Sequence, residues 1–238
     1  MNIALIGYGK MGKTIEDIAI QKGHEITLKI DIENQNELTT KNLQQADVAI
    51  EFTGPGNALY NIYKCFDAEI PVVCGSTGWL EHWQDVEKYC KKKNGTLLYA
   101  SNFSIGVNIF FEVNKKLASF MAKQPAYDVT IEEIHHTEKK DSPSGTAITL
   151  AEQIIKEIPR KSIWINEPST NDEALVINSI RLDPAPGTHT VTYHSGVDDI
   201  TIAHTAHNRK GFAGGAILAA EFLQGKKGIF FMKDVLGF

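Results

Sequence analysis

Residues 1–34 read MNIALIGYGKMGKTIEDIAIQKGHEITLKIDIEN. The apolar run from Asn2 to Ile6 predicts a strand, and it leads directly into Gly7-Tyr8-Gly9-Lys10-Met11-Gly12. Ile15, Ile18 and Ala19 then recur at helical spacing up to Gly23, and Glu25 to Ile30 predicts a second strand ending at Asp31. Strand, GxGxxG, helix, strand, acid is the order of a dinucleotide-binding unit. Gly7 permits the tight turn, Gly9 lets a pyrophosphate approach the backbone, and Gly12 lets the helix sit close to the strand. The helix N-terminus offers free N–H groups and the positive end of a dipole to the phosphates.

Asp31 stands 19 residues beyond Gly12, where an acid would hold the adenosine ribose. The next residue is Ile32, not an arginine that could grip a 2′-phosphate. NADH is therefore the expected cofactor. Lys10 partly offsets the repulsion between Asp31 and a phosphate, so NADPH is expected to be usable.

The alternation continues beyond this unit. Ala46 to Thr53 predicts a buried strand, and a helix follows Gly54-Pro55-Gly56 to about Ala68. Pro71 to Cys74 is a strand ending in Gly75-Ser76-Thr77-Gly78; a helix spans about Leu80 to Lys92. Thr96 to Ala100 is a strand ending in Ser101-Asn102-Phe103. Strands alternating with helices imply a Rossmann-type, doubly wound parallel sheet in an α/β fold. Turns that follow the strands lie at the carboxyl edge, where such sheets bind ligands. Thr53, the turn Gly75-Ser76-Thr77 and the turn Ala100-Ser101-Asn102-Phe103 are candidates to line the nicotinamide side; taken singly, each also reads as ordinary loop chemistry.

After Phe103 the rhythm changes. A long helix is expected from Ser104 to about Ala122, then a strand from Tyr127 to His135. Further strands are expected at Leu175–Leu182, Thr188–His194 and Asp199–His207, with hairpin-length gaps that suggest an antiparallel or mixed sheet. Gly211 to Phe222 reads as a helix, and the tail GIFFMKDVLGF as a final packed helix. The expected organisation is a dinucleotide-binding domain over residues 1–103, an α+β domain over 104–208, and C-terminal helices in 209–238 that pack back on the first domain. Hinges are expected near Phe103–Ser104 and Asn208–Lys210.

The 238 residues suffice for two small domains with real cores. A net charge of −5 without a long basic run disfavours nucleic acid and anionic membranes as partners. Cys65, Cys74 and Cys90 form no CxxC pair and are odd in number, which suits a reduced cytoplasmic protein. The N-terminal apolar run is short for a signal peptide, and no stretch approaches a membrane span.

The densest chemistry lies in HHTEKKDSPSGTAITLAEQ, His135 to Gln153. Ala147, Leu150, Ala151, Ile154, Ile155 and Ile158 predict a helix with one buried face. Ser142 is expected to cap it, with Pro143 in the first turn. Ser144, Gly145 and Thr146 would then present N–H groups and two hydroxyls to a carboxylate. His135, His136, Lys139 and Lys140 lie just upstream; they would complement a dianion, and a histidine could supply a proton. Lys140 alone reads better as a solvated charge. A metal site on His135 and His136 with His204 or His207 is disfavoured, since adjacent strand residues point to opposite faces; no metal is expected.

These residues resemble the dihydrodipicolinate reductase family, whose members are also called 4-hydroxy-tetrahydrodipicolinate reductases. The resemblance runs nearly end to end. It is carried by GYGKMG, EFTGP, CGSTGW, ASNFSIGVN, the HHTEKKDSPSGTA run, the Arg181…Gly187-x-His189 segment and GGAILAAEFL. The resemblance implies a cytoplasmic, homotetrameric enzyme of diaminopimelate and lysine biosynthesis. Its first domain would bind NADH or NADPH through Gly7, Tyr8, Gly9, Lys10, Met11, Gly12, Asp31, Thr53, Gly75, Ser76, Thr77, Ala100, Ser101, Asn102 and Phe103. Its second domain would bind a small cyclic imine dicarboxylate and assemble through its sheet. The same resemblance makes His135 the proton donor and Lys139 the catalytic lysine, and has His136, Gly145 and Thr146 hold the substrate carboxylates. Two competing readings are a related two-domain NAD(P)-dependent amino-acid dehydrogenase, which does not require the HHTEKKDSPSGTA run, and a catalytically inactive dinucleotide sensor.

Overall fold

In a computed structural model that describes residues 1–208 and 210–238, the chain divides into two compact units. One is Met1–Ile105 with Arg209–Phe238, the other Gly106–Asn208. Arg209, where the expected C-terminal segment begins and one expected hinge falls, lies outside the described residues.

The chain begins β1 (Asn2–Ile6), α1 (Lys10–Gln21), β2 (Glu25–Ile30), α2 (Thr40–Leu43), β3 (Val48–Glu51), α3 (Pro55–Asp67), β4 (Val72–Cys74), α4 (Trp83–Lys92) and β5 (Thr96–Tyr99). It continues with α5 (Ile105–Met121), β6 (Asp128–His135), α6 (Gly145–Glu157), β7 (Ile163–Ile165), β8 (Ala174–Arg181), β9 (Thr188–His194) and β10 (Asp199–Thr205). It closes with α7 (Lys210–Phe222), β11 (Gly228–Phe231) and α8 (Met232–Leu236). Short 3-10 turns, Ile32–Glu37 and Leu80–His82, precede α2 and α4.

The first unit holds a six-stranded parallel sheet in the order β11-β5-β4-β3-β1-β2. Its inner strands are buried on both faces, and the period of two sorts their side chains. Ala4 and Ile6 of β1 face a core built with Ala58, Ile62 and Phe66 of α3 and Val86 of α4. Ile3 and Leu5 face the opposite core, with Ile15 and Ala19 of α1 and Ala213, Ala216, Ile217 and Ala220 of α7. Each such buried leucine or isoleucine contributes roughly 1.5–3 kcal/mol. Because the strands run parallel, the turns after Ile6, Glu51 and Cys74 lie at one edge of the sheet, and the winding direction reverses at β1, between β2 and β3.

The tail departs from the expected single helix. Gly228–Phe231 is a sixth strand, parallel to β5, and only Met232–Leu236 is helical. Ile229, Phe230 and Phe231 favour extended backbone, and the free edge of β5 supplies their partners. An eleven-residue apolar tail does not betray by its spacing alone that it meets a sheet edge.

The second unit is a five-stranded mixed sheet, β10-β9-β6-β8-β7. β8 runs parallel to β6 and β7, whereas β9 is antiparallel to β6 and β10. The sheet is mixed, as one of the two expected alternatives; the short gap between β8 and β9 does not make them neighbours, because β6 lies between them, and β9 and β10 form the hairpin. The three-residue β7 has too short a pattern to be foreseen. One sheet face packs on α5 and α6: Val129, Ile131, Leu175, Ile177, Val191 and Tyr193 meet Phe110, Ala118, Leu150 and Ile154.

Candidate functional site

Along β6 the buried face carries Val129, Ile131, Glu133 and His135. Two apolar residues are thus followed, on the same face, by a carboxylate and an imidazole. The strand register brings their neighbours. Glu133 stands opposite His189 of β9, and His135 opposite Arg181 of β8.

Glu133 is fully buried. The Ser144 N–H donates to both of its oxygens at 3.1 Å, and Arg181 Nη2 donates to Oε1 at 3.2 Å. Oε2 lies 3.5 Å from His135 Nε2 and 3.6 Å from His189 Nε2. The two imidazole nitrogens are 3.3 Å apart. Burial alone would raise the Glu133 pKa; donors from His135, His189 and Ser144 outweigh it and hold the carboxyl well below the ordinary range. Burial pushes the His189 pKa down, against the pull of Glu133.

Arg181 also fastens the loop. Its Nη2 donates to the Asp141 carbonyl at 2.6 Å and its Nε to the Lys139 carbonyl at 3.4 Å. Lys139 Nζ lies 2.8 and 2.9 Å from the two Asp141 oxygens. Burial raises the Asp141 pKa and the Lys139 ammonium lowers it, with a net lowering. His136 is half-buried and Lys140 exposed.

The start of α6 differs from expectation. Ser144, not Ser142, is the N-cap, and its Oγ accepts from Ala147 N–H at 3.2 Å. Ser142 Oγ instead accepts from Asn166 Nδ2 at 2.9 Å. Ser144 is buried, its N–H committed to Glu133 and its Oγ 3.0 Å from His189 Nε2, so it does not present these groups outward. Capping geometry favours whichever serine has an N–H three residues on to satisfy, and two serines compete for that place. Gly145 and Thr146 follow as the first helical residues. Helix-start N–H groups have no intrahelical acceptor, and a Cβ at Gly145 would meet nothing within 4 Å. That open, donor-bearing end suits a carboxylate.

The foreseen dinucleotide residues follow strands of the first sheet. Gly9 is the N-cap of α1, with no side chain bonding the helix start and no acid in the first turn. A Cβ there would meet nothing within 4 Å, whereas one at Gly12 would lie 2.3 Å from the Gly7 carbonyl oxygen. Gly7 has φ +98° and would press a Cβ to 2.3 Å from the Phe52 oxygen. Clearance at Gly9 and bare N–H groups fit a pyrophosphate. Lys10 is exposed, while Met11 and Tyr8 pack against the core, with the Tyr8 hydroxyl on Glu16.

Asp31 is exposed and caps the Ile32–Glu37 turn, accepting from Ile32 N–H at 2.8 Å. Thr53, Thr77 and Ser101 are exposed, but the Thr53 hydroxyl donates to the buried Glu51. A Cβ at Gly75 would strike the Phe52 ring at 2.3 Å. Asn102 Oδ1 accepts from Ser104 N–H at 2.9 Å. Ser76, Ala100 and Phe103 are buried, Phe103 within the core beside Gly215, so their side chains face inward rather than toward a ligand. They lie in the turns that form the sheet's rim; a Gly-Ser-Thr or Ser-Asn-Phe pattern does not reveal which side chain turns inward.

Glu133, His189 and Arg181 were not foreseen as site residues. Alternation along β6 could have flagged a glutamate on an apolar face. The three buried groups Glu133, His135 and His189 have ligand atoms within 4.8 Å of one another. The Arg181 guanidinium already supplies the positive charge that their carboxylate needs, which argues against a cation there. Cys65, Cys74 and Cys90 are buried free thiols. No helix of the described residues is long and apolar enough to cross a membrane.

Comparison with known proteins bears on both units. Residues 1–103 match the family model for the dihydrodipicolinate reductase N-terminus, and residues 106–236 that for its C-terminus. A 4-hydroxy-tetrahydrodipicolinate reductase of Christiangramia forsetii is 51% identical over 236 residues, covering 99% of this chain and 98% of the relative. The dipicolinate-bound dihydrodipicolinate reductase from Paenisporosarcina sp. TG-14 superposes with a TM-score of 0.77 at 24% identity, covering 97% of both chains. An amine dehydrogenase from Mycobacterium smegmatis shares the fold at a TM-score of 0.62 and 10% identity, covering 96% of this chain and 94% of the other. With both halves matched by their family models, the chain belongs to the dihydrodipicolinate reductase family.

Proposed function

We propose that this protein is an NAD(P)H-dependent oxidoreductase of diaminopimelate and lysine biosynthesis that reduces 4-hydroxy-tetrahydrodipicolinate to tetrahydrodipicolinate. One hydride and one proton are consumed, and the hydroxyl leaves as water. The observation that carries the reading is the 51% identity with a 4-hydroxy-tetrahydrodipicolinate reductase across essentially the whole of both chains.

The first unit holds the dinucleotide, with Gly9 and the α1 N-terminus against the pyrophosphate and Asp31 on the adenosine ribose. When bound, the reduced nicotinamide supplies the hydride. Asp31 favours a free 2′-hydroxyl, so NADH is preferred and NADPH is used less well. In the second unit, the N–H groups of Gly145 and Thr146 and the side chain of His136 hold the carboxylates of the cyclic imine. His135 gives the proton. Lys139, held by Asp141, stabilises the charge that develops as the bond to the hydroxyl breaks. The second unit assembles into a homotetramer, for which exposed Ile163, Ile180, Leu182 and Ile200 provide apolar surface. The protein works in the cytoplasm.

The test is NADH oxidation by the purified protein, with the hydroxylated imine made in situ from pyruvate and aspartate semialdehyde by its synthase. Oxidation that depends on the synthase is expected. Absence of oxidation with either cofactor, despite demonstrated NADH binding, would overturn the reading and favour another dehydrogenase substrate or a sensor.

A further inference from the structure

We infer that Glu133 is a positioning residue for the proton transfer: with His189 it holds the Nε2–H of His135, so that the proton delivered to substrate leaves from Nδ1. The inference rests on the reading of His135 as the acid.

Several observations carry it. Glu133 lies two residues before His135 on the same buried face of β6, so its carboxylate looks along the strand at the imidazole. An ionised carboxylate only accepts hydrogen bonds, and Ser144 N–H, Arg181 and His135 stand around this one as donors. His135 Nε2 lies 3.3 Å from His189 Nε2, a contact that needs a proton on one of the two. That proton belongs to His135, whose Nε2 lies 3.5 Å from Glu133 Oε2, and the Nε2 of a neutral His189 is then the acceptor. The Ser144 hydroxyl also lies 3.0 Å from His189 Nε2.

The remaining nitrogen of His135 is free. No described residue hydrogen-bonds Nδ1. That edge of the ring faces Gly187, where a Cβ would lie 3.2 Å from Nδ1 and 2.9 Å from Cε1. Gly187 has φ +153°, so glycine suits the backbone there, and a side chain would press on that edge of the imidazole.

The proton balance is simple. Imidazolium His135 breaks its Nδ1–H bond and passes that proton to the substrate as the hydride arrives. It is left as the neutral Nε2–H tautomer, still bonded to Glu133 and His189. Solvent then returns a proton to Nδ1. A carboxylate behind an imidazole fixes its tautomer and compensates its positive charge. The other charged or titratable groups around this pair are Arg181 on β8, His204 on β10, and Lys139 and Asp141 in the loop before α6.

Two measurements test it. Nitrogen-15 NMR of histidine-labelled wild-type protein, with the His135 signals assigned from His135→Asn, is expected to show the Nε2–H tautomer once His135 is neutral. The Nδ1–H tautomer would overturn the proposal, and this reading needs no variant at Glu133 to fold. In Glu133→Gln, kcat is expected to fall about 100-fold or more with KM much less affected, and the falling limb of the kcat/KM pH profile to move to lower pH. A purely structural role would lower stability without moving that limb, and an unmoved limb in a folded variant overturns the proposal. His135→Ala separates this from the parent reading: impaired turnover there with an unmoved limb in Glu133→Gln overturns the positioning role alone, whereas wild-type turnover overturns both.

Discussion

Arg181 Nη2 donates both to Glu133 Oε1 at 3.2 Å and to the Asp141 carbonyl at 2.6 Å, so one guanidinium neutralises the buried carboxylate and ties the loop that carries Lys139. Removing one partner of a buried pair leaves an uncompensated charge. Arg181→Met is therefore expected to destabilise the second unit by about 3–5 kcal/mol in chemical denaturation. Adding Glu133→Gln should recover part of that loss, because the charge is gone. A single variant within about 0.5 kcal/mol of wild type would show that Arg181 is not the compensating cation.

The same cluster predicts acid lability. His189 has its pKa lowered from 6.5 by burial, so the unfolded chain binds a proton that the folded one does not as pH falls below that value. Its contribution is present above pH 6.5 and is lost as pH falls toward the folded value. Half-buried His204 acts with the same sign. Glu133, held below its ordinary 4.5 by its donors, adds a second loss once pH drops below 4.5. Urea denaturation at stepped pH should show stability falling from pH 7 to 5 and faster below 4.5, with the first stage smaller in His189→Gln. Constant stability from pH 7 to 5 would contradict the assignment of a buried neutral His189.

His135→Ala is expected to lower turnover by about 100- to 10,000-fold while NADH affinity, measured by fluorescence titration, stays at its wild-type value. The residue lies at the end of β6 in the second unit, and the NADH-binding residues assigned above all belong to the first. A parallel loss of NADH affinity would mean that the substitution disturbs more than the acid.

Much of the fold is legible in the amino-acid sequence. Residues 1–34 announce strand, glycine-rich turn, helix and strand, because each of those needs a distinct residue type at fixed spacing, and these elements stand where expected. The HHTEKKDSPSGTA run stands out as a candidate site for the same reason. What the sequence hides is pairing. Nothing in the spacing of Leu175–Leu182 and Thr188–His194 says that β6 separates them, and that pairing alone puts His189 across from Glu133 and Arg181 across from His135. The strand character of Gly228–Phe231 likewise depends on the vacant edge of β5, a partner more than a hundred residues away.

The three glycines of the phosphate turn separate into two kinds, and stability with affinity can tell them apart. Gly12→Ala would place a Cβ 2.3 Å from the Gly7 carbonyl oxygen, a backbone atom that cannot rotate away, and is expected to lower stability by about 1–3 kcal/mol. Gly9→Ala meets nothing within 4 Å and is expected to melt like wild type while binding NADH at least about tenfold more weakly, since the methyl occupies the pyrophosphate's approach. Gly9→Ala that binds NADH normally would place the pyrophosphate elsewhere.

In the proposed function, cofactor preference turns on Asp31, and the structure supplies a clean substitution. Asp31 caps the Ile32–Glu37 turn by accepting from Ile32 N–H at 2.8 Å, and in the proposed cofactor site it would also set a negative charge where a 2′-phosphate would lie. Alanine would remove both. Serine is also a strong capping residue, so Asp31→Ser removes the charge and retains an acceptor for the turn. Asn34 Oδ1, which accepts from the Asp31 backbone N–H at 2.7 Å, is untouched. The variant is therefore expected to melt like wild type. Its ratio of kcat/KM for NADH over NADPH should fall by about tenfold or more, mainly through better use of NADPH, because about 1.4 kcal/mol of charge repulsion corresponds to that factor. A ratio that stays at the wild-type value in a normally folded variant would show that the carboxylate of Asp31 does not face the ribose, and the preference would then have to come from Lys10 and the neighbouring backbone.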